Sequence, residues 1–187
     1  QPCSSAASDV YKRQDKIKCV VLDLDNTLWS GTLIEDGPEN LSIKTNYLDL
    51  LEQLINRGTI VCICSKNNPE DKDLIGKIIG PIFDKLMIKK INWNPKSENI
   101  KKIAKELNIG LANIAFFDDS KFEREEVSKN AEGVKVFSNL DLFRIMSDSI
   151  FFTSSKITKE SSKKNDYYKT QLIRKENENK SSSKEDY

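Results

Sequence analysis

The sequence contains no histidine at all. That absence removes Ser–His–Asp and Cys–His catalysis, histidine-ligated metal sites and phosphohistidine chemistry together. Any acid, base or nucleophile must come from carboxylates, lysines or hydroxyls. An excess of charge of one sign is missing too: 30 Lys and Arg stand against 29 Asp and Glu, a net charge of +1. This balance leaves no global electrostatic footprint for nucleic acid or a membrane surface. No apolar run approaches the roughly 18 residues that a bilayer span needs, so no membrane or nucleic-acid partner is expected. Cysteines number only four, Cys3, Cys19, Cys62 and Cys64, and their spacing suits neither a disulfide framework nor a zinc knuckle. Cys19, Cys62 and Cys64 fall inside apolar runs, where a reduced cysteine serves as a small core residue. A reducing cytoplasm is the expected location.

What is present suits one α/β domain with polar ends, since 187 residues suffice to bury a single core. Residues 1–14 (QPCSSAASDVYKRQ) have no signal-peptide character. Their DVYKRQ resembles the translated end of a sequencing transposon, so this stretch is expected to be foreign, with the native start lost. Residues 15–152 alternate strand and helix signals. IKCVVLDL (17–24) is a continuous apolar run, as in a parallel strand buried on both faces. Tyr47, Leu48, Leu50, Leu51, Leu54 and Ile55 recur at helical spacing before an Arg57-Gly58 stop. TIVCIC (59–64) predicts a second strand, residues 86–91 a third, 114–117 a fourth and 134–137 a short fifth. Helices are predicted from Pro69 and over 100–107. Strands separated by helices imply right-handed crossovers and a mostly parallel sheet covered on both sides. Residues 153–187 turn polar, with a helix possible only around 166–175 and too little apolar surface to hold it alone.

The chemistry concentrates where strands end. Asp23 and Asp25, two residues apart after the first strand, put two carboxylates at the carboxyl edge of the sheet, where open α/β folds build their sites. Two carboxylates that close repel unless a cation neutralises them, and hard oxygen ligands favour Mg²⁺. The ordinary alternative is a helix-capping turn. Ser65-Lys66-Asn67-Asn68 follows the second strand and offers a hydroxyl and backbone amides for a phosphate oxygen. Trp93-Asn94-Pro95-Lys96 follows the third and places a lysine ahead of a helix. Asp118-Asp119 follows the fourth. Each alone reads as a turn, a solvated charge or a cap; four in order, each at a strand end, point to one site.

In that order, D-x-D-x-T, Ser, Lys and D-D resemble the four motifs of the haloacid dehalogenase (HAD) superfamily. KCVVLDLDNTLWSGTLIEDG, CSKNN, INWNPKSENI and FFDDSKFEREEV are similar to its FkbH-like branch, phosphatase subfamily IIIC, over about residues 16–140. The resemblance implies a HAD-like Rossmannoid three-layer αβα sandwich. It implies that Asp23 attacks phosphorus to form an aspartyl-phosphate, while Asp25 protonates the leaving oxygen and then activates water. Thr27 would orient the Asp25 carboxylate. Ser65, with Lys66 and Asn67, would hold the substrate phosphate, and Lys96 would neutralise it. Mg²⁺ would be bound by Asp23, the Asp25 carbonyl and the Asp118/Asp119 pair, analogy favouring Asp119 as the direct ligand. With few residues between Thr27 and Thr45, and none inserted between Lys89 and Lys96, the fold is expected to be capless, carrying only a small flap. Trp29 and Trp93 either line the entrance or pack beneath that flap.

The expected function is a Mg²⁺-dependent phosphatase or phosphotransferase acting on a small-molecule or carrier-bound phosphate ester. Two alternatives stay open. One, implied by the FkbH-like resemblance, is a glyceryl transferase/phosphatase that loads a glyceryl group from 1,3-bisphosphoglycerate onto an acyl carrier protein. That activity uses a cysteine nucleophile, which no cysteine here is placed to provide. The other is a non-catalytic HAD-fold binding module.

Overall fold

The computed structural model describes residues 17–147 and 159–182, a few side chains near the ends aside. Residues 1–14 lie outside that range. The first apolar run becomes β1 (Cys19–Leu22), buried at every position. After a tight loop come β2 (Trp29–Ser30), α1 (Leu33–Asp36), a 3-10 turn at Pro38–Asn40 and β3 (Ser42–Ile43). The chain continues through α2 (Thr45–Asn56), β4 (Ile60–Ser65) and, after a 3-10 turn at Pro69–Asp71, α3 (Lys72–Ile79) and a short α4 (Ile82–Lys85). Then follow β5 (Lys89–Ile91), α5 (Lys96–Leu107), β6 (Ile114–Asp118), α6 (Lys121–Asn130), β7 (Lys135–Ser138), α7 (Leu142–Ser147) and α8 (Lys159–Ser182).

Five strands form one parallel sheet in the order β5-β4-β1-β6-β7. Val21 pairs with Cys62 on one side and Phe116 on the other, which makes β1 the central strand. The two-residue repeat of a strand sorts its side chains into two cores. Val20, Leu22, Val61, Ile63, Ala115 and Phe117 face Leu51 and Leu54 of α2, Ile75 of α3 and Leu142 of α7. Cys19, Val21, Cys62, Cys64 and Phe116 face Ile100, Ile103 and Leu107 of α5, Val127 of α6, and Tyr168 and Leu172 of α8. The architecture is the expected three-layer αβα sandwich. Each fully buried Ile or Leu contributes about 1.5–3 kcal/mol through removal from water.

Local signals set the element ends. Tyr47, Leu51 and Leu54 bury one stripe of α2, and Gly58 at φ 82° turns the chain into β4. The α5 helix, predicted over 100–107, ends at Leu107 and is capped by Asn108, which takes the left-handed conformation (φ 53°), as Asn tolerates. Helix α8 runs well beyond the expected 166–175 because tertiary contacts hold it. Asn165 Nδ2 donates to the Ile55 carbonyl at 2.9 Å and Lys175 Nζ to the Glu106 carbonyl at 2.9 Å, so both tie α8 to the ends of neighbouring helices.

At the carboxyl edge, β2 and β3 pair antiparallel (Trp29 with Ile43, Ser30 with Ser42) and carry α1 between them. This is the small flap. Nothing is inserted between β5 and α5 beyond four residues, Asn92 to Pro95, so the fold is capless. Among the described residues, no helix is long and apolar enough to cross a membrane.

Candidate active site

The loop after β1 is built to present carboxylates. Asp23 N donates to the Phe117 carbonyl at 3.0 Å, which prolongs the β1–β6 ladder by one residue. The chain then turns, with Thr27 N and Leu28 N both donating to the Leu24 carbonyl (3.1 and 2.8 Å). Asn26 supports the turn by adopting φ 53°, and its Oδ1 accepts from Gly31 N at 3.0 Å. Gly31 itself sits at φ +99°, where an added Cβ would meet Asp36 Oδ2 at 3.0 Å. A side chain there would be strained and crowded. The Asn26 carbonyl is anchored by Lys44 Nζ (2.8 Å) and Asn139 Nδ2 (2.9 Å).

Asp23 is 5% exposed. Its Oδ1 accepts from Ser65 Oγ at 2.9 Å and lies 2.8 Å from Lys96 Nζ. Lys96, the first residue of α5, also reaches Asp118 Oδ2 at 2.5 Å. Burial alone would lower the pKa of the Lys96 ammonium, but the carboxylates of Asp23 and Asp118 reverse that and hold it above its ordinary value. One cation thus serves two buried carboxylates. Burial, reinforced by the charge of Asp23, pushes the Asp118 carboxyl up to about 6 despite its contact with Lys96. Asp119 is also raised, by burial and then by Asp23.

Asp23, Asp118 and Asp119 each offer a carboxylate oxygen, and the three oxygens lie within 4.8 Å of one another. Three hard oxygen donors with one intervening ammonium leave negative charge over, and that donor set fits a Mg²⁺-sized cation. The loop that presents the pair is fixed from below. Arg124 Nη1 donates to the carbonyls of Asp118 (2.8 Å) and Asp119 (2.7 Å), while Ser120 N donates to Asp118 Oδ1 at 2.8 Å. Ser120 also caps α6, its Oγ accepting from Glu123 N.

Asp25 is held separately. Its Oδ1 accepts from Trp29 Nε1 (2.9 Å) and Leu33 N (3.0 Å), and its Oδ2 from Asn67 Nδ2 (2.9 Å). Burial raises its pKa, those three donors pull it back, and the nearby Asp23 charge adds to the rise. The Asn67 amide nitrogen also reaches Ser65 Oγ at 3.1 Å.

The structure therefore brings Asp23, Asp25, Ser65, Asn67, Lys96, Asp118 and Asp119 together at one edge. Lys66 is engaged elsewhere, its Nζ 2.7 Å from Glu123 Oε1. Thr27 is fully buried and, among the described residues, its Oγ1 has no hydrogen-bond partner; Asp25 is held by Trp29, Leu33 and Asn67. Trp29 packs beneath the flap with no exposure, whereas Trp93 is half exposed at the rim, donating to Asn68 Oδ1 at 3.2 Å. Sequence reasoning did not single out Arg124 or the Trp29–Asp25 bond. The Ser120-x-x-Glu123 spacing, a capping-box pattern, is the one sequence signal that marks the loop Arg124 secures.

No family model matches the chain, and no curated protein matches it. Solved structures do. The N-terminal part of protein BF1531 from Bacteroides fragilis, containing a phosphatase domain and complexed with Mg, is 30% identical over 77% of this chain, with a TM-score of 0.65. This chain spans less than half of that structure, 43% of its length. A HAD family enzyme from Bacteroides thetaiotaomicron, bt-2542, in complex with magnesium and inorganic phosphate, is 15% identical over 65% of this chain and 93% of its own, with a TM-score of 0.53. The 3-deoxy-D-manno-octulosonate 8-phosphate phosphatase from Moraxella catarrhalis, in complex with magnesium, phosphate and KDO, is 19% identical. It aligns over 89% of this chain and 91% of its own, with a TM-score of 0.51. The chain has a HAD-like Rossmannoid fold.

Proposed function

We propose that this domain is a Mg²⁺-dependent phosphatase that hydrolyses a phosphate ester through an aspartyl-phosphate on Asp23. The observation that carries the reading is the placement of Asp23 Oδ1 between Ser65 Oγ (2.9 Å) and Lys96 Nζ (2.8 Å), beside a second carboxylate, Asp25, that touches neither Lys96 nor Asp118. A nucleophile and an acid–base group need such separate environments. Asp23, Asp118 and Asp119 would hold the Mg²⁺, which supplies charge neutralisation for an anionic ester approaching an anionic nucleophile. A carboxylate oxygen of Asp23 attacks phosphorus, the ester P–O bond breaks, and the proton of Asp25 passes to the leaving oxygen. Water then gives a proton to Asp25 as it attacks the aspartyl-phosphate, releasing inorganic phosphate and restoring Asp23. Lys96 neutralises the transferring group, and Ser65, whose proton goes to Asp23 Oδ1, holds the nucleophile for attack.

The neighbours whose names carry phosphate or phosphatase support this chemistry, and the FkbH-like resemblance carries the finer assignment to subfamily IIIC. A capless edge ringed by exposed Ile34, Trp93, Phe122 and Leu140 favours an ester presented on a larger carrier over a free metabolite enclosed by the domain itself. The glyceryl-loading alternative needs a reactive thiol, and among the described residues the cysteines, Cys19, Cys62 and Cys64, are all buried. Their unbonded state suits a reducing cytoplasm.

The test is phosphate release by the full chain from a panel of esters that includes 1,3-bisphosphoglycerate, with Mg²⁺ and then with EDTA. Release that requires Mg²⁺ and is abolished by Asp23→Asn is the expected result. Undiminished release by Asp23→Asn would overturn the mechanism.

A further inference from the structure

The Asp25 carboxylate offers about four lone-pair sites, two on each oxygen. Both sites of Oδ1 are taken, by Trp29 Nε1 and Leu33 N. One site of Oδ2 is taken by Asn67 Nδ2. Among the described residues a single site remains, on Oδ2, and there the carboxyl can carry a proton to a substrate. Asn67 is the residue that decides which way that site faces.

Asn67 is itself fully buried, and its amide orientation is dictated by what surrounds it. The single proton of Ser65 Oγ is donated to Asp23 Oδ1 at 2.9 Å, so Ser65 Oγ accepts from Asn67 at 3.1 Å. The two N–H protons of Asn67 thus go to Asp25 Oδ2 and to Ser65 Oγ. A flipped amide would set its carbonyl oxygen against a carboxylate. In the observed orientation Oδ1 is buried without a partner among the described residues, a cost that natural structures retain where a group serves function. With both protons committed, Asn67 has none left for a substrate phosphate, the role its place after Ser65 suggests.

We infer that Asn67 is a positioning residue for proton transfer: its amide aims the one free lone-pair site of Asp25 Oδ2 at the leaving oxygen, in register with the nucleophile through Ser65. The inference rests on the phosphatase reading above. In the first step the ester oxygen leaves phosphorus and takes the Oδ2 proton. In the second, Oδ2 recovers a proton from the attacking water. A misaimed Asp25 therefore matters most when the leaving oxygen needs a proton to depart.

That dependence gives the test. kcat/KM, which covers the steps through formation of the aspartyl-phosphate, is measured with Mg²⁺ for an alkyl phosphate and for 2,4-dinitrophenyl phosphate, whose phenolate leaves without protonation. The full chain is compared with Asn67→Ala, Asn67→Asp and Asp25→Asn, folding of each being checked by circular dichroism. Asn67→Asp keeps the shape but removes the amide donors, so it covers the case in which the alanine variant does not fold. Expected is a loss of about 100-fold on the alkyl ester, within the range of general acid catalysis, with the dinitrophenyl ester retaining most of its rate. Equal losses on the two esters would make Asn67 a phosphate-holding or merely structural residue and overturn the inference, as would no loss on either. Asp25→Asn separates the two levels. If it shows the leaving-group pattern and the Asn67 variants do not, only this inference falls; if wild type releases no phosphate, or Asp25→Asn loses equally on both esters, the phosphatase mechanism falls with it.

Discussion

Lys96 Nζ lies 2.8 Å from Asp23 Oδ1, and both side chains are almost fully buried, at 4% and 7% exposure. The same ammonium holds Asp118, so one cation restrains two carboxylates that would otherwise repel each other out of water. Removing one partner of a buried ion pair leaves the others uncompensated, which typically costs about 3–5 kcal/mol. Lys96→Met is therefore expected to destabilise the metal-free chain by about 3 kcal/mol, measured by urea unfolding at pH 8 in EDTA. Mg²⁺ should restore part of that loss while leaving turnover down by at least about 100-fold, as for loss of a transition-state charge partner. Unchanged unfolding in EDTA would mean that Lys96 does not carry the site's charge balance.

The raised Asp118 carboxyl predicts how metal binding depends on pH. Its pKa in the folded chain, about 6, stands above the ordinary carboxylate value. The stability this proton contributes is present below the ordinary value and lost as pH rises through about 6. A cation binds the deprotonated site, so its stabilisation must grow over the same interval. At a concentration about 100 times Kd, a ligand adds about 2.7 kcal/mol, or about 5–10 °C in Tm for a domain this size. The Mg²⁺-induced shift is expected to be near that at pH 7.5 and to lose about 1.4 kcal/mol of its worth at pH 5, one pH unit below the folded value. A shift that is flat from pH 5 to 7.5 in thermal melts would exclude Asp118 as a participant.

The thiols make a separate prediction. Burial pushes Cys64 up to about 12 and raises Cys19 well above its ordinary value, and Cys62 lies in the same buried layer, its Sγ 3.8 Å from that of Cys19. Reactivity follows the thiolate and its access to solvent. Iodoacetamide at pH 8 should leave these three residues unmodified in the native chain and label all three in urea, as read by peptide mass mapping. Native labelling of Cys62 or Cys64 at the rate of a free thiol would return the acyl-transfer reading to contention.

Much of the sheet was legible because buried parallel strands write themselves as unbroken apolar runs: 59–64 lies one residue from β4, and 17–24 encloses the four residues of β1 with two to spare at each end. The stop of α2 at Gly58 was legible for a similar local reason. The flap was not. Trp29–Ser30 and Ser42–Ile43 are too short to carry a period, and only their pairing defines them. The length of α8 was hidden as well, since Asn165 and Lys175 act on carbonyls of α2 and α5 far away in sequence. Motif order brought Asp23, Ser65, Lys96 and Asp118 to one edge without difficulty, because each ends or follows a strand of one parallel sheet. What orients Asp25 was out of reach. That depends on whether a neighbouring side chain turns inward, and Trp29 and Asn67 do so while the Thr27 hydroxyl finds no partner among the described residues.

Trp29 turns that last point into a measurement. Its indole is fully buried beneath the flap and donates to Asp25 Oδ1 at 2.9 Å. Trp29→Phe keeps most of the apolar bulk and deletes the donor, leaving Oδ1 with the Leu33 amide alone. A hydrogen bond to a charged group contributes about 1.5–3 kcal/mol, and Asp25, only partly buried, can take water in place of part of a lost donor. Stability should therefore fall by only about 1 kcal/mol, whereas kcat should fall by about 10-fold as the carboxyl gains freedom to rotate. KM for the phosphate ester should stay unchanged, because the Trp29 indole N–H donates to Asp25 while Ser65 and Lys96 hold Asp23. A rise in KM with kcat intact would place Trp29 in substrate binding through the flap, and would remove it from the set of groups that aim the acid.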